Sequence, residues 1–119
     1  MTSYRDLKVW KRGMDLVEYV YQLTRSLPPE ELYGLTSQTR RSAVSIPSNI
    51  AEGHGRKSTG AFINHLSIAQ GSTAELETQL LLLCQRLGFI SQDDCDSQIE
   101  TTDEIGRMLT GLKRSLTKS

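Results

Sequence analysis

STGAFINHLSIAQGSTAELETQLLLLCQRL, running from Ser58 to Leu87, decides the fold. Apolar or small residues fall at Phe62, Leu66, Ala69, Thr73, Leu76, Leu80, Leu83 and Leu87. Steps of four and three alternate along this row, the mark of a helix packed lengthwise against other helices. Ser58 offers an N-cap and Gly88 a residue able to end the helix in the left-handed region. From Leu80 to Cys84 the apolar residues go all the way round. A helix apolar on every side must be covered on every side. A small bundle covers only one, so this run predicts self-association, with Leu81 and Leu82 at an interface between copies.

Upstream, Tyr4 to Leu27 reads as a first helix. It carries two adjacent stripes: Leu7, Trp10, Met14, Val17, Tyr21 and Thr24, and beside them Leu16, Val20, Leu23 and Leu27. Together they make an apolar face wider than a lone helical hairpin needs, and Trp10 on the first stripe is a core or interface residue. Pro28 and Pro29 stop the helix, because neither can donate the next hydrogen bond. Glu30 to Gly34 is a short connection.

A second helix spans Leu35 to about His54. Its face, Leu35, Thr39, Ser42, Ile46, Asn49 and Gly53, puts small and polar residues where bulky ones are the rule, which permits close helix approach. Pro47 removes the hydrogen bond to the Ala43 carbonyl and predicts a kink or a break there. The turn GHGRKSTG, from Gly53, leads into the central helix.

Downstream, Gly88 to Ile90 is a tight turn, and Ser91 with Asp94 has capping-box spacing. Asp93, Asp94 and Asp96 suit the positive end of a helix dipole. The last helix reaches about Leu116 on the stripe Cys95, Ile99, Thr102, Ile105, Leu109, Leu112 and Leu116. Gly106 and Gly111 weaken it by about 1 kcal/mol each relative to alanine, and Lys118 and Ser119 fray. Near-neighbour helices on short turns predict an all-α, up-down-up-down four-helix bundle, one domain over residues 1–119.

Fourteen basic and fourteen acidic residues cancel, so global charge gives no push toward nucleic acid or an anionic membrane. The charges are nevertheless uneven. Arg40, Arg41, Arg56 and Lys57 gather around the second segment, Lys8, Lys11 and Arg12 form a smaller group, and Asp93 to Glu104 holds acids and no base. Such asymmetry marks either a solvated face or a binding surface. The two cysteines, Cys84 and Cys95, have no metal-ligand spacing and read as free buried thiols of a reducing compartment. MTSYRDLKVWKR, at the N-terminus, lacks the apolar core of a signal peptide, and no run is long enough to span a bilayer. A cytoplasmic protein without membrane association is expected.

Catalytic chemistry is hard to find. GHGRKSTG is similar to a phosphate-binding P-loop, but Arg56 stands where that motif needs glycine, and a helix rather than a strand precedes it. A weaker reading survives: Arg56 and Lys57 lead into a helix N-terminus, which can receive a phosphate. The alternative is a solvated turn whose basic residues answer acids on a neighbouring chain. His54 and His65, the two histidines, form no Glu-x-x-His pair, so no metal site or cofactor is expected. Glu52, Glu75 and Glu77 are placed to pair with Arg40 or Arg41 across the contact of the second and third helices, as structural ion pairs rather than acid–base groups.

YRDLKVW from Tyr4, YGLTSQTRRSAVSIPSNIAEGHGR from Tyr33 and FINHLSIAQGSTAELETQLLL from Phe62 resemble the bacterial four-helix-bundle family also called the 23S rRNA intervening-sequence protein family. The likeness covers residues 4 to about 90, is most specific in SIPSNIAEG, and fades over the last helix. The resemblance implies a cytosolic homopentamer, five bundles around an axis, with no established activity for most members. A relative, the accessory protein of diversity-generating retroelements, is proposed to bind nucleic acid and a reverse transcriptase. That relative is distinctly basic and this chain is not. The expectation is therefore a non-enzymatic oligomer that binds RNA or DNA weakly or together with a partner protein. Arg40, Arg41, Arg56 and Lys57 would contact phosphate, supported by Lys8, Lys11 and Arg12. The alternative is an oligomeric protein-interaction scaffold with the same arginines locked in ion pairs between subunits.

Overall fold

The computed structural model describes residues 3–118. They form four long helices and short tight turns, with no strand among the described residues. A 3₁₀ turn at Tyr4–Asp6, capped by the Ser3 hydroxyl, precedes α1 (Lys8–Thr24). A second 3₁₀ turn, Pro29–Glu31, runs into a wide π-type turn, Leu32–Thr36, and then α2 (Ser37–His54). α3 is Thr59–Leu81, continued by a π turn at Leu82–Arg86, and α4 is Gln92–Thr117. Each helix packs on the next and α4 closes on α1, so α2 and α4 stand on a diagonal. This is the four-helix bundle that the periodicity predicts.

Local chemistry sets the ends. Ser58 Oγ accepts from Ala61 N–H at 3.1 Å and Ser91 Oγ from Asp94 N–H at 3.1 Å, as the two caps require. Gly88 is the one described residue with positive φ, at 67°, and it reverses the chain after α3. The first helix is shorter than Tyr4 to Leu27, because the chain tightens after Thr24 into bonds such as Leu27 N–H to the Thr24 carbonyl. α2 begins at Ser37 rather than Leu35, because Gly34, at φ −109° and ψ −113°, leaves the helical region. The uniform third helix also gives way at Leu82, where the last turn widens. At the C-terminus Lys118 is a turn residue whose N–H still bonds the Arg114 carbonyl, and Ser119 lies outside the described residues.

Of the two outcomes expected at Pro47, the break does not occur. α2 runs through it without a break. The missing hydrogen bond is tolerated because the ring is useful where it lies: Pro47 is buried against Gly13 of α1, where a Cβ would sit 3.4 Å from the ring. Glycine opposite proline lets α1 and α2 approach closely.

Leu16, Val20, Ala43, Ile46, Ile50, Leu66, Leu76, Leu80, Ile105 and Leu109 form the core. On α1 the core row is Val9, Gly13, Leu16, Val20 and Thr24, which takes Leu16 and Val20 from the second stripe and Thr24 from the first. The rest of the first stripe lies at the edge of the core or outside it, with Met14 and Tyr21 exposed and Trp10 half-buried. Both thiols are free; Cys95 is buried and Cys84 half-buried. Burial first, and then the neighbouring Cys84 thiol, push the Cys95 thiol up to about 12. Alkylation at pH 8 is expected to reach Cys95 only after denaturation, which mass spectrometry of trapped protein will show. No described helix is long and apolar enough to cross a membrane.

Gly71, Gly106 and Gly111 have open space where a Cβ would go. Gly71→Ala is therefore expected to stabilise by about 0.5–1 kcal/mol through helix propensity, raising Tm by about 2–4 °C in a thermal melt. An unchanged or lower Tm would mean that another chain occupies that space.

Candidate nucleic-acid interface

The SIPSNIAEG segment lies wholly within α2, and nearly every residue of it locks α2 to a neighbour. Ile46 and Ile50 enter the core. Pro47 covers Gly13. Gly53 faces α3 so closely that a Cβ would lie 2.5 Å from the His65 Cβ. Beside this contact runs a hydrogen-bonded seam. Arg56 Nε donates to His65 Nε2 at 3.3 Å, so His65 carries its proton on Nδ1 and donates to Asn49 Oδ1 at 3.1 Å. Asn49 Nδ2 donates to the Ser45 carbonyl at 2.8 Å and to Ser45 Oγ at 3.0 Å. That leaves the Ser45 hydroxyl proton for Ser72 Oγ, 2.8 Å away on α3. Both ring nitrogens of His65 are thus engaged in holding helices together. His54 stands edge-on to Phe62 at a centroid distance of 5.6 Å. Among the described residues no three metal-ligating side chains gather.

The basic residues do not form one patch. Arg40 and Arg41 lie near the start of α2, Arg56 and Lys57 just past its end, roughly 20 Å away along the axis. Lys8, Lys11 and Arg12 are at the start of α1, at the end of the bundle that holds Arg56. Their surroundings differ sharply. Arg12 is committed to the α1–α4 contact, with Nε 2.6 Å from Glu104 Oε1, Nη2 3.4 Å from Thr101 Oγ1 and Nη1 3.6 Å from Asp15. The Glu104 hydrogen bond raises the Arg12 pKa further above its ordinary value. Arg56 meets Glu52 at 2.7 Å, one turn away on the same chain. That pair is half exposed, and such pairs are worth about 0–1 kcal/mol.

Arg40 makes none of the predicted bridges. Its guanidinium lies over the Tyr21 ring, 4.4 Å from the centroid, and Nε donates to Thr24 Oγ1 at 2.8 Å. Neither Arg40 nor Arg41 pairs with Glu52, Glu75 or Glu77. Glu52 is taken by Arg56, and Glu77 accepts from Thr102 Oγ1 at 2.7 Å on the far side of α3. Arg41, Lys57, Lys8 and Lys11 are exposed and have no side-chain bond among the described residues. Asp93, Asp94, Asp96, Glu100 and Asp103 are exposed on α4, on the diagonal from α2, and Glu75 of α3 lines a cleft with Arg41 without a bond to it.

Burial and then the Asp103 hydrogen bond raise the Glu77 pKa above its ordinary 4.5. A raised carboxyl contributes stability below its unfolded-state pKa and loses it as pH rises through the folded value. Glu77→Gln, which can still accept from Thr102, is expected to raise Tm at pH 7 and to leave it unchanged near pH 4. The reverse pattern in melts would mean that the charged form is the favoured one.

The interface residues expected from the sequence are also separated. Leu81 and Leu82 are 37% and 39% exposed, at the end of α3. Trp10 stands edge-on to Tyr4 at 5.4 Å, at the opposite end of the bundle, in a groove with Met14, Val17, Val44 and Pro47.

Sequence comparison adds that the model of the 23S rRNA-intervening sequence protein family matches residues 5–111. The chain belongs to that family. Its match extends into α4, beyond the segment in which the resemblance is plain. A crystal structure of a protein of unknown function from the S23 ribosomal protein family of Bacteroides thetaiotaomicron has the same fold, with a TM-score of 0.82. That protein is 28% identical, and the alignment covers 89% of this chain and 95% of that one. No curated protein matches. Family membership thus brings the bundle and no catalytic assignment.

Sequence reasoning missed Tyr33, the most exposed large hydrophobic residue at 93%, which stands in the wide turn ahead of Arg40. An aromatic residue beside the turn-forming Gly34 was its one signal.

Proposed function

We propose that this family member is a non-enzymatic, cytoplasmic homo-oligomer, a pentameric ring, that binds RNA or DNA through the start of α2. One observation carries the nucleic-acid reading. Arg40 and Arg41 make no bond to a carboxylate, and no carboxylate lines the groove beside them. In a ring a modest basic edge is repeated in every subunit, and affinity for a polyanion grows with the number of phosphates neutralised. Lys57, Lys8 and Lys11, also unpaired, are supporting charges at the other end. Arg12 is spent on Glu104 and is not among them.

Exposed leucines support the assembly. A closed ring is heterologous and needs two unlike surfaces that meet. The end of α3, with Leu81 and Leu82, and the Trp10 groove of α1 and α2 are two such surfaces. The exposed acids of α4 favour a rival reading, a scaffold in which Arg40 and Arg41 of one copy meet the α4 acids of the next. Fluorescence anisotropy with structured RNA and duplex DNA separates the two. Replacing both Arg40 and Arg41 by alanine is expected to weaken binding by about tenfold or more, at roughly 1.4 kcal/mol per tenfold, and to leave the oligomer intact in sedimentation. Replacing Arg12 is expected to lower stability with little change in binding. An oligomer that falls apart when Arg40 and Arg41 are removed, with no loss of affinity per chain, is the scaffold's result.

A further inference from the structure

The groove beside Arg40 and Arg41 has a composition that charge alone does not explain. It has a volume of about 660 Å³, the size of a small-ligand site, and runs between the end of α1, the wide turn and the start of α2. Tyr21, Leu32, Tyr33 and Val44 supply its apolar surface, Arg40 and Arg41 its charge, and no carboxylate lines it. The nearby Glu31 carboxylate is turned into the chain, accepting from Leu35 N–H at 3.3 Å. Tyr33 has both ring faces in solvent, while the three other large apolar side chains are partly covered.

We propose that this groove takes a single strand of nucleic acid, with a base stacked on the Tyr33 ring and a phosphate on the Arg41 guanidinium. The inference rests on the nucleic-acid reading above and narrows it from polynucleotides in general to unpaired ones. In a duplex the base faces are already stacked on one another and an exposed tyrosine gains nothing. In a single strand each base offers a free face, and aromatic side chains next to basic ones are the usual platform. Arg40, stacked on Tyr21 and tied to Thr24, is already ordered and extends the flat surface. Arg41 has no partner to give up when a phosphate arrives.

The test is anisotropy of a labelled short oligouridine, with a blunt duplex of the same length as competitor, on the full-length oligomer. Oligouridine is expected to bind more tightly than the duplex. Tyr33→Ala is expected to weaken it by about 5- to 150-fold, and Tyr33→Phe, which keeps the ring face, by no more than about twofold. Arg41→Ala is expected to lower the slope of log affinity against log salt by about 0.7, the share of one single-strand phosphate. Tyr33 is solvent-exposed, so Tyr33→Ala keeps the fold, which circular dichroism checks. Undiminished binding by Tyr33→Ala would overturn the groove as the site and leave the broader reading standing. A smaller particle in sedimentation would overturn it too, by making the groove a contact between copies. No binding of either probe by the unaltered protein would overturn both.

Discussion

Gly53→Ala is expected to cost about 1–3 kcal/mol of unfolding free energy, the range for overpacking a closely packed contact. The alanine methyl would arrive 2.5 Å from the His65 Cβ and 3.1 Å from Phe62 Cδ1. A Cβ cannot swing away as the tip of a long side chain can, so α2 and α3 must separate. Separation stretches the seam from Arg56 through His65 and Asn49 to Ser45 and Ser72. Equilibrium urea unfolding of the two proteins measures the difference. A loss below about 0.5 kcal/mol, the range of ordinary surface substitutions, would show that the helices yield cheaply and that the close approach is not what glycine serves there.

Leu81→Glu and Leu82→Glu are expected to break the oligomer into smaller species in sedimentation velocity, with helicity by circular dichroism nearly unchanged. Both side chains are more than a third exposed within one chain, so a carboxylate there reaches water when the bundle stands alone. In a ring the same carboxylate would be buried without a partner, at a cost of several kcal/mol per ion. An intact oligomer in both variants would place the contact elsewhere, and the Trp10 groove alone would have to carry it.

These two expectations mark how far the sequence could be read. Whatever depends on residues close along the chain was legible: the row from Phe62 to Leu87, the serine caps at Ser58 and Ser91, and the left-handed Gly88. Gly53 was legible as a small residue on a packed face, but its partner His65 was not, because nothing in a helical period says which side chain a neighbour presents. Pro47 was half legible for the same reason. Its effect on its own helix predicts a kink or a break, and the Gly13 that accommodates its ring belongs to another helix. The two stripes on α1 could not be ranked without knowing what packs on them. Gly13, in register with Val9, Leu16 and Val20, was the overlooked sign that the inner row was the core.

At the candidate interface, the sequence marked basic residues and misjudged their company. Arg40, Arg41, Arg56 and Lys57 look like one cluster along the chain and stand at two ends of a helix in space. Of the carboxylates that seemed in reach of Arg40 and Arg41, Glu52 and Glu77 face other partners, and Glu75 lies beside Arg41 without a bond to it. Arg12 is the converse case, a basic residue that looked free and is held by Glu104. Charge is visible in a sequence; whether it is neutralised is a fact of packing.

The most direct test of the account is the salt dependence of nucleic-acid binding by the purified oligomer. If Arg40 and Arg41 of two neighbouring copies engage phosphates, four are neutralised, and log affinity for single-stranded RNA should fall against log salt with a slope of about −3. The slope should shrink when Arg40 and Arg41 become alanine, and shrink less when Arg56 and Lys57 do. Affinity that ignores salt, or no binding even at low salt, would contradict phosphate recognition and leave the protein-interaction scaffold in its place.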